Sequence, residues 1–425
     1  MNGLKVKAGA LQFTMFITVV IALLLVAFII LVNTHTQFKL QSDFVLETVE
    51  NTKKGIQHAL KNNIRANDTV HINLQDEDYK TVSVYKSYWG LFEKVLSTSK
   101  IKKNTVKKIA LVGASQPERD RTALYIKENN RPLVVVGETK IKGMVYLPKQ
   151  GVRTGNISGH SYYGSRLIYG KTRPSNKLPK LLNETLNHIK KSNLNIGNLQ
   201  QHQFLDLSRS KTYRNSFFNP LQVVYSNTSI NLSGISLIGH IVVQSKTKIT
   251  VDANSNLKDI ILIAPIIEIK NHVKGTFQAI ATKNLKVGKN CKLDYPSALI
   301  LNEKEKPISS PTNLQKEKPS INIDKRCNIK GVVAYFGAPM TNNFDAQIVI
   351  EENTTVVGEV YCNQNLELKG TIYGSVFTSN FVAKQSGSSY QNHIYNGTII
   401  VDELPEEYIG LPFNNSKKGV AKWLY

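Results

Sequence analysis

The chain has 425 residues, of which 41% are apolar, and tyrosines and phenylalanines occur throughout its length. This composition excludes a largely disordered protein and suffices for two or three domains with hydrophobic cores. The 54 lysines and arginines outnumber the 31 acidic residues, giving a net charge of +23, and such a charge attracts polyanions such as nucleic acid, acidic polysaccharide or anionic lipid.

The first predicted element is an apolar helix near the N-terminus. No charged residue occurs from Ala8 to Phe38, and the stretch from Phe13 to Val32 supplies about the 20 residues needed to cross ~30 Å of hydrocarbon. The residues after Val32 lack the pair of small residues at which a signal peptidase cleaves. The sequence therefore predicts a membrane anchor. Because Lys5 and Lys7 precede it, we expect a cytoplasmic N-terminus and an extracytoplasmic chain from about residue 33.

The helical pattern continues beyond the apolar segment. Apolar residues recur at steps of seven and four, which is typical of one stripe on an α-helix: Phe38, Val45, Val49, Ile56, Leu60 and Ile64. We therefore expect one helix over 10–66, as transmembrane segment and stem. The stripe must be covered either by the chain's own first globular domain or by neighbouring copies or other subunits.

The N-terminal residues resemble a known family. The stretch Lys5-Val-Lys-Ala-Gly-Ala-Leu11, followed by an apolar helix and an amphipathic stem, is similar to minor pilins and pseudopilins of type IV pilus and type II secretion machines. The resemblance implies that residues 1–9 are a leader, that a peptidase cuts after Gly9, and that the mature chain begins at Ala10. It also implies pilin-like or identical subunits as partners. The chain has Thr14 where major subunits of the family carry glutamate, and a plain uncleaved anchor is the alternative.

A mixed, β-rich region is expected over 67–220. The segment 80–114 alternates between apolar and polar residues at both ends, and 131–151 contains two further strand patterns. Leucines at helical spacing predict an amphipathic helix over 175–192.

The C-terminal half contains an internal repeat of 18 residues. Three segments beginning at Ile249, Ile267 and Leu285 align without gaps, with apolar residues at the first and third places and polar residues at the second and fourth. Thus Ile269 is expected to point inward, between Val251 and Val287. We predict a parallel β-solenoid over 221–405, with an insert at 303–320 and a C-terminal tail at 406–425. An antiparallel sandwich is the alternative, and the repeat also resembles bactofilins.

The sequence contains no recognisable catalytic motif. Walker, His-Glu-x-x-His and Cys-x-x-Cys patterns are absent, and Ser161 lies in GHSYYG, where a nucleophile elbow requires glycine in place of Tyr163. We expect no enzyme activity, no cofactor and no metal. His240 and His272 are interpreted as surface residues.

Two cysteines share a position in the repeat. Cys291 and Cys327 both occupy the seventh place of successive repeats once the insert is set aside. They should therefore stack, either as a disulfide, which would suit an exported domain, or as buried thiols.

These features predict a mainly β, membrane-anchored, non-enzymatic envelope or surface protein that displays a basic solenoid. It could serve as a pilin-like subunit of a filament or secretion assembly. The alternatives are an anchored carbohydrate-active β-helix enzyme and a bactofilin-like polymer-forming scaffold. The expected partners are membrane lipid, other subunits through the stem, and a non-specific polyanion such as DNA or an acidic glycan.

Overall fold

The computed structural model describes residues 8–73, 79–117, 119–303, 318–338, 340, 343–414 and 416–425. These residues divide into two compact units. The first comprises the N-terminal chain to His58, Thr69–Val84 and Ser97–Lys108, and the second comprises Ala59–Asp68, Tyr85–Leu96 and Ile109–Tyr425.

The protein is mainly β, with one long helix and one short helix. The helices are α1 (Ala8–Lys61) and α2 (Asn183–Lys190), and 3-10 turns lie at Ile196–Asn198 and Gln201–Gln203. The strands are β1 (Asp68–Ile72), β2 (Lys80–Trp89), β3 (Phe92–Ile101), β4 (Asn104–Ser115), β5 (Thr122–Ile126), β6 (Leu133–Val136), β7 (Lys140–Lys142), β8 (Met144–Leu147), β9 (Val152–Thr154), β10 (Asn156–Ile157), β11 (His160–Ser161), β12 (Thr172–Pro174), β13 (Thr212–Asn215), β14 (Gln222–Ser226), β15 (Ile230–Leu232) and β16 (Ser236–Gly239). They continue as β17 (Ile241–Ser245), β18 (Lys248–Val251), β19 (Asn256–Ile269), β20 (Lys274–Val287), β21 (Lys292–Asn302), β22 (Ser320–Ile323), β23 (Asn328–Phe336), β24 (Ile348–Ile350), β25 (Thr355–Leu368), β26 (Thr371–Gln385), β27 (Ser388–Gln391), β28 (His393–Tyr395), β29 (Thr398–Ile400), β30 (Ile409–Gly410) and β31 (Lys418–Leu424).

Helix α1 has an apolar part that is entirely exposed. An 18-residue window near its N-terminus has a mean hydropathy of 3.4, and none of that window is buried. This is the one helix among the described residues that is long and apolar enough to cross a membrane. The large apolar side chains from Leu11 to Val32 are exposed, and a continuous apolar surface of this extent is rare on folded domains in water.

The last turns of α1 pack within the first unit. Thr48, Asn51, Thr52 and Ile56 are buried, and a Cβ on Gly55 would lie 2.1 Å from Ser97 Oγ. The helix therefore lies so close to strand β3 that a side chain at position 55 would collide with Ser97. The predicted apolar stripe is only partly correct. Ile56 is buried and Ile64 lies beyond the helix end, while the N-terminal part of the stripe is exposed.

The C-terminal region is built from parallel strands that close into a barrel. The 18-residue register is observed directly: Ile249 pairs with Ile267, and Ile267 pairs with Leu285. The same row continues through Ile321 and Ile348 to Leu366. Because these pairings are parallel, they contradict the antiparallel sandwich. The apolar residues at the first and third places of these repeats are buried: Ile249, Val251, Ile267, Ile269, Leu285, Val287, Ile321, Ile323, Ile348, Ile350, Leu366 and Leu368.

Three glycines stack at equivalent positions of strands β23, β25 and β26. Gly331 pairs with Gly358, which pairs with Gly374, and all three have φ between +141° and +150°. A Cβ on Gly374 would lie 1.8 Å from the carbonyl oxygen of Gly358. Glycine is therefore required both for the backbone conformation and for the close approach of adjacent strands.

The expected division at residue 220 does not match the strand pairing. Strands β5, β7, β8 and β12, which lie in the region predicted as a separate mixed domain, join the same closed set. For example, Leu124 pairs in parallel with Val376. The predicted helix over 175–192 is reduced to the eight residues of α2, and residues 177–182, which include Pro179, are not helical.

The expected C-terminal tail is also folded. Strand β31 pairs antiparallel with β4, with Leu424 opposite Ile109, and β30 pairs with the end of the same strand. Of the predicted insert 303–320, residues 304–317 lie outside the described part of the chain.

Candidate functional site

An open groove crosses the parallel strands at β20, β22, β24, β25 and β26. Its volume is 1010 Å³, and eight of its ten lining residues are polar or charged. The lining residues are Asn284, Lys286, Lys318, Ser320, Asn322, Asp345, Ala346, Val349, Glu367 and Lys384.

The parallel register places one row of side chains along this groove. Lys286 pairs with Asn322, Asn322 with Val349, and Val349 with Glu367. These residues occupy the second place of successive repeats, so they lie on the face opposite to the buried first and third places. Three strand spacings of ~4.8 Å separate Lys286 from Glu367, or about 14 Å along the groove.

Asp345 is held between two lysines of the groove. Its carboxylate accepts hydrogen bonds from Lys318 Nζ at 2.6 Å and from Lys384 Nζ at 2.9 Å. The bond from Lys318, followed by that from Lys384, keeps the pKa of Asp345 below its usual value. At neutral pH this side chain is a carboxylate, which is the wrong protonation state for a general acid.

Glu367 is also paired, at the other end of the row. Lys369 Nζ lies 3.2 Å from its carboxylate, and the backbone N–H of Lys384 donates to Glu367 Oε1 at 3.3 Å. Lys369 in turn contacts Glu351 at 3.1 Å. Both acidic groups of the groove are therefore neutralised by lysines of the same surface.

The groove retains unused hydrogen-bonding and charge capacity. Lys286 is exposed and makes no ion pair within the described part of the protein, and the buried Oδ1 of Asn284 accepts no hydrogen bond there. Three lysines against two paired carboxylates leave a net positive surface. The arrangement can bind an anionic group on Lys286.

Sequence reasoning did not single out the groove residues. The polar second place of the repeat could have indicated Lys286, Asn322 and Glu367. Lys318 and Asp345 lie outside the repeated strands, so no periodic signal could have placed them beside Lys384.

The two residues of the predicted processing site lie at the start of α1. Helix α1 begins at Ala8, and Gly9 and Ala10 are exposed, with nothing within 4 Å of a Cβ built on Gly9. Thr14 Oγ1 donates a hydrogen bond to Leu11 O at 2.9 Å. Its hydroxyl is therefore used within the helix itself.

The cysteines lie next to each other in the parallel register. Lys292 and Asn328, which follow Cys291 and Cys327, are paired, and Asn328 N donates to Cys291 O at 2.8 Å. Both cysteines are free and buried, as is Cys362. Each of the two thiols donates to a backbone oxygen at 3.0 Å, Cys291 to Lys270 and Cys327 to Gly288.

The expectation of surface exposure is wrong for one histidine. His240 is only 8% exposed and lies against Trp89 and Phe217, with ring centroids 4.9 Å and 5.1 Å away. Burial lowers its pKa to about 4. The sequence could not show this, because the aromatic residues come from distant segments. His272, by contrast, is exposed at a turn with φ of 64°.

Within the described residues, the structure does not form the other candidate sites, a nucleophile at Ser161 or a metal site. Ser161 is exposed in β11, and its Oγ accepts a hydrogen bond from Asn156. Within the described ranges, no group of three or more His, Cys, Asp or Glu side chains is placed to hold a metal ion.

Comparison with known proteins gave no match: no family model, no curated protein and no solved structure is similar to this chain.

Proposed function

We propose that the protein is a membrane-anchored, non-enzymatic envelope or surface protein whose parallel β-region binds acidic polymers. The observation that carries this proposal is the exposed apolar part of α1, which needs a lipid environment to cover it. With the positive residues Lys5 and Lys7 on its short side, the N-terminus would be cytoplasmic and the bulk of the chain extracytoplasmic.

The finer fold in this proposal is a β-solenoid. Its support is that each repeat pairs in parallel with the repeats before and after it, at a sequence separation of 18 or 19 residues over much of the region. A stack of this kind presents long rows of equivalent side chains, which suits the binding of a polymer.

The groove that contains Lys286 is the proposed contact surface. An acidic glycan or a nucleic acid backbone would meet Lys286, Lys318 and Lys384, and would displace Asp345 as the partner of the last two. The chain's net charge of +23 adds long-range attraction. The row is about 14 Å long, so it would contact several charged units of an extended polymer.

The stem would make contacts with other subunits, either copies of this chain or pilin-like proteins. Beyond the apolar segment, Phe38, Val45 and Leu46 are 70%, 44% and 68% exposed. Apolar side chains at helical spacing on an exposed helix favour helix–helix packing.

The groove is tested with the full-length protein in detergent micelles and immobilised heparin. Lys286→Glu should weaken binding about tenfold, because it removes an unpaired cation and repels the ligand. Lys274→Glu makes the same charge change at an exposed position of the same strand, outside the groove, and should cost less than threefold. Equal losses in the two variants would show that only net charge matters, and undetectable heparin binding at low salt would end the polyanion proposal.

A further inference from the structure

A second, smaller cavity lies in the second unit beside the turn that joins β2 to β3. Its volume is 290 Å³. The turn is fixed by Gln278, whose Oε1 accepts from Leu91 N at 2.7 Å and whose Nε2 donates to Trp89 O at 2.9 Å. Gly90 has φ of 61°, and a Cβ there would lie 2.2 Å from Gln278 Oε1, so the turn can approach the parallel strands only with glycine at this place.

The cavity has aromatic and aliphatic walls. Trp89 packs edge-to-face on Phe217 at 5.2 Å, and Tyr88 stacks on His188 of α2 at 4.7 Å. The opposite wall is aliphatic, formed by side chains of the parallel strands: Val242, Ile261, Ile263 and Ile280. Such a wall favours an apolar body of modest size.

One cation, Lys94, faces this apolar space. Its Nζ lies 3.1 Å from His240 Nε2 and 5.8 Å from the centroid of the Trp89 ring. Within the described residues no carboxylate makes an ion pair with it. Burial lowers the pKa of Lys94 to about 8, so the amine is still charged at neutral pH. Lys94 is half-buried, and a partly desolvated ammonium without a counter-ion is destabilised, so a bound anion would be favourable there.

The hydrogen-bond count leaves two donors for a ligand. His240 Nδ1 lies 2.9 Å from Asn219 O, and donation there makes Nε2 an acceptor for one proton of Lys94. The ammonium has three N–H groups, so two remain. Two donors on one nitrogen match a single carboxylate.

We propose that this cavity binds a small monocarboxylate with an apolar body, its carboxylate on Lys94 Nζ and its body between Trp89 and the isoleucines of the parallel strands. The ligand class follows from one unpaired cation at the edge of an apolar cavity of this volume. The site is separate from the lysine groove and does not depend on polymer binding.

The test uses the full-length protein carrying Trp423→Phe, which leaves Trp89 as the single tryptophan of the chain. Phenylacetate is titrated in detergent micelles while the fluorescence of Trp89 is recorded, and phenylacetamide serves as the uncharged ligand of the same shape. We expect phenylacetate to change the emission of Trp89 saturably and to bind at least tenfold more tightly than the amide.

Two variants separate the site from non-specific partitioning. Lys94→Met should reduce the preference for the acid to less than twofold while the apolar walls remain, and Lys94→Arg should retain most of it. Melting curves of both variants verify folding. The proposal is overturned if the acid and the amide bind equally to the Trp423→Phe protein, if neither binds, or if folded Lys94→Met keeps the preference.

Discussion

Two isoleucines of the same strand test the inward and outward assignment of the repeat. Ile269 is 1% exposed and lies between Val251 and Val287, whereas Ile266 is 38% exposed. Ile269→Asp should lower the free energy of unfolding by about 4 kcal/mol, because a carboxylate would be buried among apolar side chains. Ile266→Asp should cost less than about 1 kcal/mol. Chemical denaturation of both variants gives the comparison, and similar losses would contradict the register.

We expect the stability of the fold to depend on pH through Glu359. It is 2% exposed, and burial raises its pKa to about 7, although hydrogen bonds from Leu411 N and the Gln116 side chain act in the opposite direction. An acid whose folded-state pKa is raised binds more protons when folded. Stability should therefore fall as the pH rises from about 4.5 through 7, by roughly 3 kcal/mol in total.

The measurement is the melting temperature of the wild type and Glu359→Gln between pH 5 and pH 8. The variant should lose the decline and become the more stable protein at pH 8. His188 and His240, whose pKa values burial lowers to about 4, change stability in the opposite sense, and they cancel when the two proteins are compared. Parallel pH profiles would show that Glu359 does not titrate in this window.

At the residue scale, sequence patterns predicted the inward positions of the repeat. They did not predict contacts between residues that are distant in the sequence. The inward positions of Ile269, Val251 and Val287 follow from an alternation that any strand obeys. The contacts of His240 depend on Lys94, Trp89 and Phe217, which come from separate parts of the chain. No local pattern brings such residues together, so the cavity and the lysine groove could be found only in three dimensions.

At the scale of elements, the apolar segment of α1 is the proposed membrane anchor, and substitutions inside and outside this segment test that assignment. Replacing Leu24, Phe28 and Leu31 by arginine puts three charges into the apolar segment, at about 3 kcal/mol each, and should release the protein from membranes. The same three arginines at Phe38, Val45 and Leu46 should leave it in the membrane pellet after alkaline extraction. All six side chains are exposed in α1. Release by both sets, or by neither, would contradict the assignment of the anchor.

The strands show where periodicity is informative. The 18-residue repeat predicted the parallel register of β18 to β25, because residues at equivalent positions of successive repeats pair with each other. It could not predict that β5, β7, β8 and β12 join the set, since these strands have three to five residues and no repeat. Strands β5 and β7 pair with β26 and β29, which are distant in sequence, so their place in the set is a tertiary effect.

For the whole molecule, the net charge of +23 predicts that any binding to DNA weakens as the salt concentration rises. The affinity of the full-length protein for duplex DNA should fall linearly with salt on a double-logarithmic plot, because binding releases counterions. The base sequence should have little effect, since no base-reading motif accompanies the lysines. Lys286→Glu should make the slope shallower by at least about one unit. A salt-independent affinity, or a strong sequence preference, would contradict an electrostatic contact.

The pairing of Leu285 with Ile321 spans an interval of the chain that includes residues 304–317, yet the row of paired residues continues through it unchanged. Extra chain between two repeats therefore leaves the positions of the strands intact, provided that the strands themselves are not altered. In evolutionary terms, such a protein can acquire new segments at its turns, or gain whole repeats by duplication, while retaining its core. Insertions and deletions should thus accumulate at the turns, whereas the loss of a single residue within a strand should be eliminated by selection.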